Sequence, residues 1–218
     1  MELKNKRIVF AGDSITDMNR GRNEKDLNHI YGHSYVFLLA SGLGYEHPED
    51  NMTFINRGIS GNTSLDLLQR WESDVLSQKP DVFSLLVGVN DINAAACEGE
   101  EPDLQTYRRN LEEMYRMAIK ANPETQFIVC EPFVFAELTE PFVKDYFVKQ
   151  FPALQQEARN FARRIGAVFV PLQNEFDRAS QRVEGLGRRY WIWDGVHPTA
   201  AGHKIIENQW MKYVFENK

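Results

Sequence analysis

Cysteine is nearly missing from this sequence. Cys97 and Cys130 are the only two, too few for a disulfide framework and spaced unlike any zinc motif. Long apolar runs are missing as well. The one near the N-terminus, Ile8-Val9-Phe10-Ala11, is too short for a signal-peptide core or a membrane span, so the expected location is cytoplasmic. Positive charge is in deficit: 25 Lys and Arg stand against 31 Asp and Glu, a net charge of -6. That balance argues against nucleic acid or an anionic membrane as the main partner. Arg182, Arg188 and Arg189 form a local basic patch that reads as a solvated loop. Neither glycine nor proline dominates, and there is no repeat, linker or low-complexity stretch. What remains is an ordinary globular composition, expected to form one domain over residues 1–218 with a substantial core.

Short apolar runs punctuate the chain at regular intervals. Ile8-Val9-Phe10-Ala11, Thr53-Phe54-Ile55-Asn56, Val82 to Val87, Phe127 to Cys130 and Ala167 to Val170 read as buried strands. Between them lie helical patterns. One runs from Ser34 to about Leu43, with Gly42 and Gly44 as stop signals. Another is capped by Thr63 or Ser64, with Leu65, Leu68, Trp71 and Val75 at helical spacing. A third spans Asp103 to Ala121, a fourth Phe142 to Arg164 with Pro152 expected to kink it or restart it, and a last one Ala200 to Phe215. Residues 17–32 are polar and irregular. Five strands alternating with helices predict an α/β fold, a single parallel sheet covered on both faces. The flavodoxin-like order 2-1-3-4-5 is the simplest arrangement with a switch point beside strand 1.

Three of the strands run into polar, glycine-containing turns: Gly12-Asp13-Ser14, Arg57-Gly58-Ile59-Ser60 and Gly88-Val89-Asn90-Asp91. A parallel sheet places all three at its carboxyl edge, where ligands bind. The first turn alone leaves phosphate binding and metal ligation as open as nucleophilic attack. The late segment Trp191-Ile192-Trp193-Asp194-Gly195-Val196-His197-Pro198 narrows the choice. A serine nucleophile needs a base to take its proton and an acid to orient that base, and Asp194 lies three residues before His197. Ser14 is then the nucleophile, His197 the base and Asp194 its partner. The Ser14 N–H, the Gly58 N–H and the Asn90 side-chain amide are candidate donors to a developing oxyanion.

Gly12-Asp13-Ser14, Gly58, Gly88-x-Asn90-Asp91 and Asp194-x-x-His197 resemble, in order, the four sequence blocks of the SGNH (GDSL-type) hydrolases. The resemblance extends from residue 12 to residue 197. It implies a three-layer α/β/α, flavodoxin-like fold and ester hydrolysis without metal or other cofactor. It also implies the roles just named for Ser14, Gly58, Asn90, Asp194 and His197. The flanks Asn56-Arg57-Gly58-Ile59-Ser60-Gly61-Asn62-Thr63 and Trp193-Asp194-Gly195-Val196-His197-Pro198-Thr199-x-x-Gly202-His203 are most similar to the intracellular acetylxylan-esterase branch. An acetylated sugar is therefore expected as substrate, and oligomers are common in that branch. No Gly-x-Ser-x-Gly elbow is present, so the ordinary α/β-hydrolase arrangement does not apply.

Other residues have plainer readings. Asp13 is expected to hold the Ser14 turn by bonding nearby backbone, Asp17 to act likewise at a helix start, and Asp91 to brace its own loop. His203 suits packing or capping, and His29 and His33 default to exposure. Trp193 is placed on the pocket wall, where an aromatic ring suits a sugar face, and Trp191 in the core. The aromatic-rich stretch from Phe142 to Phe151 reads as core, or as a rim or subunit interface if exposed. Three rivals remain: a lipid-acting lysophospholipase or thioesterase of the same type, a metal-dependent phosphoesterase, and a non-catalytic sugar-binding module.

Overall fold

The computed structural model describes residues 1–216; residues 217 and 218, the end of the domain expected over 1–218, lie outside the described residues. Five parallel strands form one sheet: β1 Arg7–Gly12, β2 Thr53–Gly58, β3 Val82–Leu86, β4 Gln126–Cys130 and β5 Val168–Val170. Their order is β2-β1-β3-β4-β5, the flavodoxin-like order expected. The strands are buried on both faces, which is why they read as continuous apolar runs rather than alternating ones. In register, Gly12 of β1 pairs with Gly58 of β2 and with Leu86 of β3. The three polar turns that follow therefore emerge side by side at one edge.

Helices α1 Ser14–Asp17, α2 Tyr35–Glu46, α3 Ser64–Gln69, α4 Val89–Glu98, α5 Leu104–Ala121, α6 Pro141–Ile165, α7 Gln173–Gln181 and α8 Ala200–Trp210 complete the layers. Three departures from expectation have physical causes. Helix α2 runs through Gly42 and Gly44 to Glu46. Two interior glycines cost about 1 kcal/mol each, which the full burial of Leu39 and Leu43 offsets. Helix α6 passes Pro152 without breaking in two. The carbonyl that loses its partner belongs to Val148, a residue 58% exposed, so water can replace the missing bond. In α3, Leu67 is buried whereas Leu65 is exposed. A π-helical turn over Trp71–Val75 then brings Trp71 and Val75 fully inside.

Besides the one-turn α1, two helices were not expected. Helix α4 begins at Gly88, whose φ of 140 suits glycine alone, inside what reads as a strand-end turn. Helix α7 has no local cap. Its first amides, Leu172 N–H and Gln173 N–H, donate to the Glu131 carboxylate at 2.8 and 3.0 Å, and Glu131 is about forty residues upstream at the end of β4. Within the aromatic stretch of α6, Val143, Phe147 and Phe151 recur every four residues and are buried, and Phe142 is the exposed aromatic. Core packing accounts for most of the stretch.

Candidate active site

Ser14 is the first residue of α1, directly after β1. Asp13 caps that short helix, its Oδ1 accepting from the Ile15 N–H at 3.0 Å, while the Asp13 carbonyl accepts from Thr16 and Asp17. Together these bonds hold the Ser14 turn as expected. At Gly12 an added Cβ would lie 2.2 Å from the Leu86 carbonyl oxygen, so glycine is required where β1 meets β3.

The late loop is locked by its own backbone. Ile192 and Pro198 form an antiparallel bridge, and the Trp193 N–H donates to the His197 carbonyl at 3.1 Å. Asp194 Oδ1 accepts from the Val196 and His197 amides at 3.0 and 2.8 Å. This leaves Oδ2 for the His197 ring, 2.7 Å from Nδ1. On the other side of the ring, Nε2 is 2.8 Å from Ser14 Oγ. Ser14, His197 and Asp194 thus form one continuous hydrogen-bonded chain across 183 residues of sequence.

Electrostatics follow from this geometry. Burial works against the Asp194 carboxylate, but the bonds from the His197 ring and the His197 and Val196 amides outweigh it and hold the carboxyl below its ordinary range. The His197 imidazole is raised above its usual value, chiefly by the bond to Asp194, which outweighs burial; the Asp194 and Asp13 charges add to the rise. Asp13, fully enclosed behind the turn, is pushed up to about 7 by burial. Asp91 is pushed up to about 6, again by burial.

The oxyanion donors need one correction. Gly58 does not present its amide: the N–H donates to Asn56 Oδ1 at 2.8 Å. Asn56 is itself buried and saturated, its Nδ2 donating to the Thr16 and Tyr31 carbonyls at 2.7 and 2.9 Å. Gly58 is needed for close packing, because a Cβ there would sit 2.3 Å from the Asp17 backbone nitrogen. Along the following loop, the amides of Ile59, Ser60, Asn62, Thr63 and Ser64 all have acceptors within the protein. Only the Gly61 N–H has none among the described residues; its φ is 84, and a Cβ there would meet nothing within 4 Å. Asn90 donates one amide hydrogen to the Asn62 carbonyl at 3.1 Å, leaving its second hydrogen free beside Gly61. The sequence contained the clue, a second glycine three residues after Gly58, but not the fact that Asn56 occupies the first.

Two carboxylates anchor this loop. Asp17 Oδ2 accepts from the Ser60 N–H and Oγ–H, each at 3.0 Å, and from Arg22 at 2.8 Å. It ends α1 and ties the first turn to the second, rather than starting a helix. Asp91 reaches outside its own loop, accepting from the Ser64 N–H at 3.0 Å and the Ser64 hydroxyl at 2.5 Å. Ser64 Oγ in turn accepts from Asn110 of α5 at 2.9 Å. Both carboxylates serve to position neighbouring backbone. Among the described residues, no group of three or more His, Cys, Asp or Glu side chains is arranged to hold a metal ion.

A cleft of about 390 Å³ opens beside His197. Val89, Val143, Phe147 and Val196 line its apolar side, and Asn90, Asn93, Thr139 and Arg189 its polar side. Trp193 stands on its wall, 57% exposed, with its ring nearly parallel to that of His197 at 6.3 Å. Arg189 donates to the Trp193 carbonyl at 2.7 Å, and Arg188 lies over the Phe135 ring at 4.6 Å. Of the three arginines of the basic patch, Arg189 therefore supports the site loop. Trp191 is partly buried, as the core reading expects. His203 is buried, and its Nδ1 accepts from the Tyr35 N–H at 3.2 Å, so it caps α2 rather than its own helix. His29 is exposed and paired with Asp26, and His33 is exposed; neither lines the cleft.

The model of the GDSL-like lipase/acylhydrolase family matches residues 10–205. The acetylxylan esterase of Geobacillus stearothermophilus is 29% identical over 213 residues, 95% of this chain and 93% of that one. A crystal structure of an acetylxylan esterase from the same organism aligns with a TM-score of 0.81 at 28% identity, covering 99% of this chain and 97% of that one. A Parabacteroides merdae protein assigned to the GDSL-like lipases aligns with a TM-score of 0.88 at 34% identity, over 96% and 95% of the two chains. The chain belongs to the GDSL-like lipase/acylhydrolase family and is a carboxylic ester hydrolase.

Proposed function

We propose that the protein removes short acyl groups, acetyl in the first place, from esters of a carbohydrate such as acetylated xylo-oligosaccharides, through an acyl-enzyme. The observation that carries this reading is the unbroken chain from Ser14 Oγ through His197 to Asp194, at 2.8 and 2.7 Å. In this mechanism Ser14 Oγ attacks the ester carbonyl as its proton passes to His197 Nε2. Asp194 fixes the tautomer with Nδ1 protonated and stabilises the imidazolium. His197 then gives the proton to the departing sugar hydroxyl. Water, deprotonated by His197, attacks the acyl-enzyme and releases the carboxylic acid. The Ser14 N–H, the second Asn90 amide hydrogen and the Gly61 N–H supply the oxyanion donors, with Gly61 taking the place expected of Gly58.

Two observations support the sugar. Trp193 offers an exposed ring face beside the base, and the cleft carries several amide, hydroxyl and guanidinium groups. In addition, the acetylxylan esterase relative aligns over nearly the whole chain, and catalytic variants of that enzyme replace a serine and an aspartate by alanine. A second reading, longer acyl chains, is favoured by the apolar side of the cleft, Val89, Val143 and Phe147.

The test is the rate on acetylated xylo-oligosaccharides against p-nitrophenyl esters of increasing chain length. Ser14→Ala is expected to remove activity on all of them while leaving the fold intact by circular dichroism. Wild-type turnover in Ser14→Ala would refute the mechanism. Rates that climb with acyl length would refute the acetyl preference and leave the nucleophile in place.

A further inference from the structure

A second cavity, about 290 Å³, lies away from the triad, between edge strand β2 and the irregular loop that follows α1. Arg20, Glu24, Leu27, Ile30, Tyr31 and Arg57 line it. None of these residues lines the catalytic cleft.

Its charges do not balance. Arg7, Arg20 and Arg57 are the guanidiniums on its lining and Glu24 the carboxylate. Glu24 pairs with Arg57, and beside the cavity Asp17 pairs with Arg22 and Asp74 with both Arg57 and Arg70. Arg7 and Arg20 enter no ion pair among the described residues; Arg7 is exposed and its Nε donates to the Gln78 carbonyl at 2.9 Å, whereas Arg20 is buried. It is 8% exposed, and its Nε donates to the Gly58 carbonyl at 2.9 Å. Its two terminal nitrogens, which bear the rest of the charge, have no hydrogen-bond or ion-pair partner among the described residues. Burial, with the nearby Arg22 and Arg57 charges, lowers the Arg20 guanidinium to about 10, yet it stays charged at neutral pH. The Asp17 and Asp74 charges oppose this lowering, but neither carboxylate forms an ion pair with the side chain, and a buried charge without a direct partner is costly. The Tyr31 hydroxyl, on the same wall, likewise has no partner among the described residues, and burial raises its phenol.

We propose that Arg20 anchors a binding site for a small monoanionic carboxylate in this cavity, distinct from the catalytic cleft. The free edge of a guanidinium presents two parallel N–H donors that match a carboxylate, and the Tyr31 hydroxyl is a third donor. Leu27 and Ile30 give the cavity an apolar side for a short hydrocarbon tail. Glu24 already shows a carboxylate seated on the neighbouring Arg57. Because Arg20 holds the Gly58 carbonyl, occupancy would be felt at the loop from Gly58 to Gly61. The proposal does not depend on which acyl group the triad removes.

The experiment titrates acetate and butyrate into the protein by calorimetry, with chloride and inorganic phosphate at equal ionic strength as controls. Thermal unfolding is followed in parallel. Saturable one-site binding of the carboxylates with a raised Tm is expected, unchanged in Ser14→Ala and lost in Arg20→Gln. Glu24→Gln, which removes an exposed competing carboxylate, is expected to tighten binding by about two- to fivefold. If Arg20→Gln does not fold, Ile30→Trp, which fills the cavity, is expected to abolish binding instead. Four results would overturn the proposal: no saturable binding, binding that survives both Arg20→Gln and Ile30→Trp, binding lost in Ser14→Ala, or equal binding of chloride or phosphate.

Discussion

Replacing Asp13 by asparagine tests the electrostatics behind the nucleophile. Asp13 is 1% exposed, and burial raises its carboxyl from 3.8 to about 7. A carboxyl with a raised folded-state value binds its proton more tightly folded than unfolded. Its stabilising contribution is therefore fully present at low pH and is lost as pH rises from about 4 through 7. Three decades of proton affinity correspond to about 4 kcal/mol, of which about 3 kcal/mol falls between pH 5 and pH 8. Asparagine keeps the Oδ1 acceptor for the Ile15 N–H and removes the charge. The urea stability of Asp13→Asn minus that of wild type should therefore grow by about 3 kcal/mol between pH 5 and pH 8. Taking the difference cancels the other titrating groups, apart from His197 and Asp91, whose charges act on Asp13. A difference that stays flat over this range would mean that Asp13 is ionised at no cost in the folded state, and the reasoning would fail.

Further outcomes follow from the site. Asn90→Ala, which deletes a side-chain donor without touching the triad, should lower kcat by about 10²–10³ with an unchanged fold; a loss confined to KM would remove Asn90 from the oxyanion role. Since His197 must be neutral to act and its imidazole is raised by Asp194, the acid limb of kcat/KM should lie above the ~6.5 of a free histidine. An acid limb at or below that value would contradict the pairing. Gly58→Ala should destabilise strongly, because its Cβ would meet Asp17 backbone at 2.3 Å. Gly61→Ala meets nothing within 4 Å, keeps the N–H and should cost only about 1 kcal/mol for its positive φ. Urea midpoints for the two variants, alongside their residual activity, test the separation of packing glycine from donor glycine.

Much of the fold was legible because parallel strands buried on both faces are short, continuous apolar runs. The turns at their carboxyl ends were legible because glycine and aspartate interrupt those runs. Helices with strong local signals, such as α5 with its Asp103 cap, were equally plain. Helix α7 was not, since its capping group is Glu131, brought to it by the β4–β5 pairing. The extent of α2 was also hidden, because burial of Leu39 and Leu43 overrides the local preference of two glycines.

The site divides along the same line. Order and chemical type in the sequence are enough to propose Ser14, Asn90, Asp194 and His197, since a nucleophile, a base, its orienting acid and an amide donor must each have that functional group. Which backbone amide faces the oxyanion is a different matter. Any glycine in the second turn has a suitable N–H, and only the folded chain reveals that Asn56 takes the one at Gly58 and leaves the one at Gly61. Asp17, Asp91 and Arg20 divide the same way. As letters they are two acids and a base near motifs; the fold gives the acids to Ser60 and Ser64 and leaves the guanidinium buried with no ion pair among the described residues. Covalent character is written in the sequence, whereas who is already hydrogen-bonded to whom is decided by packing between segments far apart in the chain.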